Sequence, residues 1–163
     1  MNSPCVVRRA DASDATRLRA IRLEALSDTP EAYGSTYEES LQWPARRWRK
    51  VAKSWNYYLG ECDGIVRGMA SGGYNDEHPG TCWLYGMYVS PGQRGSGLAI
   101  QLVDAVEAWA RAEGAHQLFL HVTSSVARAR AFYRKVGFVE NGETIIMDRD
   151  RSIVLHTMVR TLD

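Results

Sequence analysis

The chain has 163 residues, 45% of them apolar and 24% charged, and a formal net charge of +1. Such a length fits one domain with a full-sized core, so a single domain over 1–163 is expected. The near-zero charge argues against nucleic acid or an anionic membrane as partner. No apolar run approaches the roughly 18 residues of a membrane span, and the N-terminal stretch lacks an apolar core of signal-peptide length, so a cytoplasmic protein is expected.

Cys5–Arg9 is short and β-branched and reads as a first strand. Asp11 and Ser13 offer N-caps to a helix in which Ala15, Leu18, Ile21 and Ala25 recur at helical spacing, ending near Asp28 before Pro30. Residues 31–54 read as an irregular helical region broken at Gly34 and Pro44. Trp55–Glu61 and Ile65–Gly73 flank Asp63-Gly64, a dipeptide suited to a tight hairpin turn. Thr81–Val89 is the next strand, and Gly86 inside it marks a bulge or a close backbone approach. Leu98–Glu113 carries one apolar stripe (Ala99, Leu102, Val103, Val106, Trp109) and stops at Gly114. A strand at Gln117–Val122, a helix at Ser125–Lys135 and strands at Phe138–Asp148 and Ser152–Leu162 complete the order β-α-α-β-β-β-α-β-α-β-β. The unit at 81–122 implies a parallel pair with a right-handed crossover, and the flanking hairpins imply antiparallel pairing. The fold class is therefore α/β with a mixed sheet.

The three cysteines, Cys5, Cys62 and Cys82, are odd in number and widely spaced. With no CxxC and no ligand spacing among the histidines, no metal site is expected, and the cysteines read as three reduced, partly buried thiols.

The turn from Gly92 to Gly97 stands at the mouth of the 98–113 helix. A helix N-terminus presents unpaired N–H groups and a positive dipole end, and glycines let an anion approach them. Arg94, Gly95, Ser96, Gly97 and Leu98 thus lie where a phosphate cradle would form. There is no GxxxxGK[ST] string, and Gly95 and Gly97 are followed by Ile100 where a dinucleotide fingerprint needs its third glycine. The strand QLFLHV also lacks the acid that would bind a ribose, which counts against a nucleotide-dependent oxidoreductase.

The string Arg94-Gly-Ser-Gly97-Leu-Ala99, after a strand ending MYVSP, resembles the R/Q-x-x-G-x-G/A signature of the GCN5-related N-acetyltransferases. ARARAFYRKVGF at Ala127–Phe138 resembles the second motif of that family. The match covers roughly Leu84 to Phe138; residues 1–60 fit only in layout. The resemblance implies a GNAT-like fold, acetyl-CoA as cosubstrate, no metal, and a small-molecule or peptide amine as acceptor; members of the family are often homodimers. It implies that the pyrophosphate sits on the amides from Arg94 to Ala99. It also implies that the pantetheine arm pairs with the backbone of Met87, Tyr88 and Val89, in a gap between the 81–89 and 117–122 strands that Gly86 opens. A non-catalytic acyl-CoA module on the same fold is the alternative, against which the retained motif tyrosine speaks.

The resemblance further implies that Tyr133 protonates the departing thiolate, with Phe132 covering the sheet beside it. A phenol near pKa ~10 is protonated at neutral pH. Relatives often carry an asparagine where this chain has Val126; Ser124 and Ser125 are candidates to replace it or to cap the helix. Some relatives place a glutamate base where this chain has His121, whose ordinary pKa near ~6.5 suits the task. Trp83, Tyr85, Glu77, His78 and an ordered water remain alternatives. Strand alternation leaves open which face of the strand meets the cleft. Tyr33, Tyr37, Glu38, Glu39, Trp43 and Trp48 are candidates for the acceptor wall, as acids and aromatics attract an amine.

Overall fold

The computed structural model describes residues 4–162, which leaves out the first three residues of the N-terminal stretch and Asp163. Asp63 and Gly64 take φ of 54° and 76°, the two left-handed positions that a type I′ turn requires. They join β2 (Tyr57–Cys62) to β3 (Ile65–Tyr74) as an antiparallel hairpin. β1 (Val6–Arg9) pairs antiparallel with the outer edge of β2, and β4 (Cys82–Val89) pairs antiparallel with β3. β5 (Gln117–Thr123) runs parallel to β4 and is flanked by β7 (Val154–Thr161), which pairs antiparallel with both β5 and β6 (Val139–Ile146). The result is one mixed sheet in the order β1-β2-β3-β4-β5-β7-β6.

Among the described residues five α-helices cover it: α1 (Ala15–Asp28), α2 (Tyr37–Leu41), α3 (Ala45–Ser54), α4 (Leu98–Ala112) and α5 (Ala127–Lys135). Leu98, Leu102, Val103, Val106 and Trp109 of α4 bury their stripe on one sheet face, together with Leu118, Leu120 and Val122 of β5. Close approach is possible because Gly60 and Gly68 carry no side chain: a Cβ there would lie 2.5 Å from Leu98 and 2.9 Å from Leu102. On the opposite face Leu18, Ile21, Ala25 and Leu26 of α1 and Trp48 and Val51 of α3 pack on Leu59 and Met69. Asp11 caps the entry to α1 in a capping box with Asp14, whereas Ser13 donates to Asp11 and caps nothing.

The cysteines depart from expectation. Cys5 and Cys62 form a disulfide, with Sγ–Sγ 1.99 Å and Cα–Cα 4.3 Å, and the free thiol is the buried Cys82. The cause is register: Val6 faces Glu61 across β1–β2, which sets Cys5 opposite Cys62 although 57 residues separate them. Among the described residues no helix is long and apolar enough to cross a membrane.

Candidate active site

β4 and β5 pair at three positions, from Cys82↔Leu118 to Leu84↔Leu120, and then part. The reason lies in β4. Met69 faces Tyr88 and Ser71 faces Tyr85, so Gly86 and Met87 together oppose Ala70 in a β-bulge. Gly86 has φ of 59°, a conformation that side chains rarely adopt. Beyond the bulge the β5-facing edge of β4 has no strand partner among the described residues.

The gap opens into two adjoining cavities that share lining residues. The smaller, about 270 Å³, lies between the end of β4, the N-terminus of α4 and the first turn of α5. Tyr88, Val89 and Leu98 are buried with their side chains in the cores, so only their backbones can serve a ligand. Gly97, with φ of 92°, caps α4 without a side-chain bond. The amides of Gly95, Gly97 and Ala99 donate to no described residue, while the Leu98 amide reaches Ser96 Oγ only at 3.4 Å. A Cβ added at Gly95 or Gly97 would meet nothing within 4 Å, so the cradle opens outward. These orphaned donors fit a pyrophosphate. Two of the carbonyls proposed for pantetheine already accept one hydrogen bond: Met87 O from the Tyr33 hydroxyl at 2.9 Å and Val89 O from Arg94 Nε at 3.1 Å. Each keeps a second lone pair. The Arg94 guanidinium also pairs with Asp28 at 2.7 Å, and Arg128 donates to Thr29 Oγ1 at 3.2 Å, so the end of α1 roofs this cavity.

The larger cavity, about 790 Å³, is walled by α1, the 32–34 and 54–57 segments, β3, β4, β5 and the β6–β7 loop. Tyr33, Met87, Val126 and Tyr133 line both cavities. Tyr133 is 8% exposed and packs on Phe132 and Phe138. Its hydroxyl bonds no described residue, and burial, with Tyr33 adding a smaller push, raises its pKa above the usual 10. Phe132 packs against the core on the α4 face and also lines the smaller cavity; Phe138 is the fully buried ring.

His121 lies on the cavity face of β5, since Leu118 and Leu120 turn into the α4 core. Burial first, then the neighbouring His78, lowers its pKa below the ordinary 6.5, while Glu77 and Glu143 pull it partly back. Its ring sits 4.6 Å from that of Trp83. Of the alternatives, Tyr85 lines the cavity, Trp83 is buried at 1% exposure, and Glu77 and His78 do not line it. Val126 occupies the helix start and caps α5 with no side-chain bond. Ser125 instead shares a hydrogen bond with Thr123, so neither serine caps the helix.

Of the early-helix candidates the cavity receives Tyr33 alone. Trp48 is buried, Trp43 packs on it at a tilt under Arg47, and Glu39 caps α2 through Thr36. Sequence reading missed two arginines. Arg149 reaches across from the β6–β7 loop and donates to the carbonyls of Tyr33 and Pro30, strapping that loop over the cavity. Arg22 enters from α1. Among the described residues no group of three or more His, Cys, Asp or Glu could hold a metal ion.

Comparison with known proteins places this geometry. Residues 18–138 match the model of the acetyltransferase (GNAT) family. An L-methionine sulfoximine/L-methionine sulfone acetyltransferase of Pseudomonas aeruginosa is 29% identical over 145 residues, covering 84% of this chain and 81% of that protein. An N-acetyltransferase from Staphylococcus aureus Mu50 superposes with a TM-score of 0.76 at 24% identity, over 99% of this chain and 100% of that one. The structure of yncA from Salmonella typhimurium with its cofactor acetyl-CoA gives 0.74 at 23% identity, over 99% and 95%.

Proposed function

The chain belongs to the acetyltransferase (GNAT) family, and we propose that it works as one domain that moves an acetyl group from acetyl-CoA directly to a primary amine of a small molecule or peptide. The observation that carries this reading is the meeting of the two cavities at Met87 and Tyr133. One cavity ends in free amides suited to phosphate; the other is wide enough for an acceptor.

The amides of Gly95, Gly97, Leu98 and Ala99 would hold the pyrophosphate, those of Arg94 and Ser96 being engaged by the carbonyls of Pro91 and Gln93, and the open edge of β4 at Met87, Tyr88 and Val89 would hold the pantetheine, which is peptide-like and adds as a partial strand. Bound there, acetyl-CoA supplies an acyl thioester whose thiol departs. Tyr133 keeps its proton at neutral pH because burial disfavours the phenolate, and it gives that proton to the leaving sulfur. His121 is neutral at pH 7, since burial disfavours the imidazolium, and so can take the proton that an alkyl ammonium must lose. The similarity to a methionine sulfone acetyltransferase favours a small amino-acid-like acceptor.

Calorimetric titration with coenzyme A, followed by thiol release from acetyl-CoA across a panel of amines and peptides, tests the proposal. Binding and amine-dependent thiol release are expected. Folded protein that does not bind coenzyme A would overturn the reading.

A further inference from the structure

Helical geometry sets Arg22 four residues from both Leu18 and Leu26, which are fully or almost fully buried on the inner face of α1. An arginine on that face has to reach a partner or a cavity, because a guanidinium carries five N–H donors and is always charged. Arg22 reaches the larger cavity. Its sole hydrogen bond to a described residue is a long one, 3.4 Å to Ser35 Oγ, and no carboxylate of a described residue comes within ion-pair distance. Its guanidinium carbon stands 5.5 Å from the centre of the Tyr33 ring, and one nitrogen lies 3.4 Å from where a Cβ of Gly86 would be. The other arginine of this cavity is already engaged, its fork donating to the carbonyls of Tyr33 and Pro30. Tyr33 and Gly86 adjoin Met87, where the two cavities meet, so Arg22 stands beside the place where an acceptor amine would be held.

We propose that Arg22 is the residue that selects the acceptor, by binding a carboxylate carried on the same small molecule as the reacting amine. This rests on the acetyl-transfer reading and narrows it to amino acids and similar amino carboxylates. A carboxylate matches the guanidinium fork with two parallel charge-assisted hydrogen bonds, and the half-buried setting strengthens them. The absence of a side chain on Gly86 is what leaves room for the pair, and the Tyr33 ring holds the guanidinium plane in place. A lysine could supply the charge without the fork.

The test pairs free α-amino acids, L-methionine sulfone among them, with their carboxamides, which differ only in the carboxylate. Wild-type protein should acetylate the acids with kcat/KM about 10- to 100-fold above the amides, as one charge-assisted pair predicts. Arg22→Gln should raise KM for the acids by a similar factor, leave kcat nearly unchanged and leave the amides alone, and Arg22→Lys should restore only part of the difference. Arg46→Gln, which removes an exposed charge on α3, should change neither. Equal use of acids and amides by the wild type, or an equal loss with both in Arg22→Gln, would overturn the proposal. A second measurement separates it from the acetyl-transfer reading: N-acetyl-L-methionine sulfone is titrated into the coenzyme A complex of wild type and Arg22→Gln. If no amine releases thiol, acetyl transfer is refuted, while weaker binding to Arg22→Gln still supports the carboxylate site and equal or absent binding refutes it.

Discussion

Tyr133→Phe isolates a single proton. The substitution removes one oxygen and keeps the ring that packs on Phe132 and Phe138, at centroid distances of 5.4 and 5.8 Å. Because the hydroxyl bonds no described residue, its loss breaks no hydrogen bond of the fold, and stability should move by less than about 0.5 kcal/mol. A positioned general acid is worth roughly 10²–10⁴ in rate, or about 3–5 kcal/mol of barrier. The turnover number, measured as thiol release at saturating acetyl-CoA and acceptor, should therefore fall by that factor. The affinity for coenzyme A and the melting temperature should hold. The raised pKa adds a condition on the wild type: the phenol stays protonated past its usual 10, so Tyr133 imposes no alkaline limb on kcat/KM below about pH 10. A folded Tyr133→Phe protein that turns over at the wild-type rate would reduce the residue to packing.

His121→Gln should cost a large part of kcat/KM and abolish its acidic limb, which in the wild type lies below pH 6.5 because burial depresses the imidazole pKa; an unchanged profile would hand the proton to water. Alkylation of unfolded, unreduced protein should label Cys82 alone, and labelling at all three cysteines without reductant would contradict the Cys5–Cys62 bond. Arg8 holds the fully buried Asp14 by hydrogen bonds, with its carboxylate pKa down at about 2 from 3.8. The stability this contributes, about 2 kcal/mol, is complete above pH ~4 and is lost as pH falls toward ~2; Asp14→Asn should forfeit it at pH 7, and equal urea midpoints at that pH would refute the linkage.

What local chemistry decides was legible in the sequence. Asp63-Gly64 dictated its hairpin, the stripe from Leu98 to Trp109 dictated α4, and the glycine turn before it marked the amides that the fold leaves free. What register and packing decide was not. Cys5 meets Cys62 only once β1 lies beside β2, and nothing in their spacing says so. The aromatics of 37–48 read as a ligand wall, yet Trp48 turns inward and Trp43 is spent on Trp48 and Arg47. The exception is Arg22, whose place in the Leu18–Leu26 row was a visible anomaly: a charge where helical period asks for an apolar residue.

Gly86 ties these features together, and its substitution is the most searching test of the fold's part in the site. Leu84 and Val89 share the α4 core although five residues apart, an odd interval that plain alternation forbids and a one-residue bulge permits. The same extra residue ends pairing with β5 and turns the Met87 carbonyl to the Tyr33 hydroxyl. Gly86→Ala would place a side chain at φ of 59°, at a cost of about 1–2 kcal/mol, with its Cβ 3.3 Å from the Tyr57 hydroxyl and 3.4 Å from Arg22. The neighbour free to give way is Arg22, so acceptor KM should rise more than coenzyme A affinity falls, and the melting temperature should drop by several degrees, about 2–4 °C per kcal/mol at this chain length. A Gly86→Ala protein as stable as the wild type would show that β4 does not need its left-handed residue, and the explanation of the strand gap would fall with it.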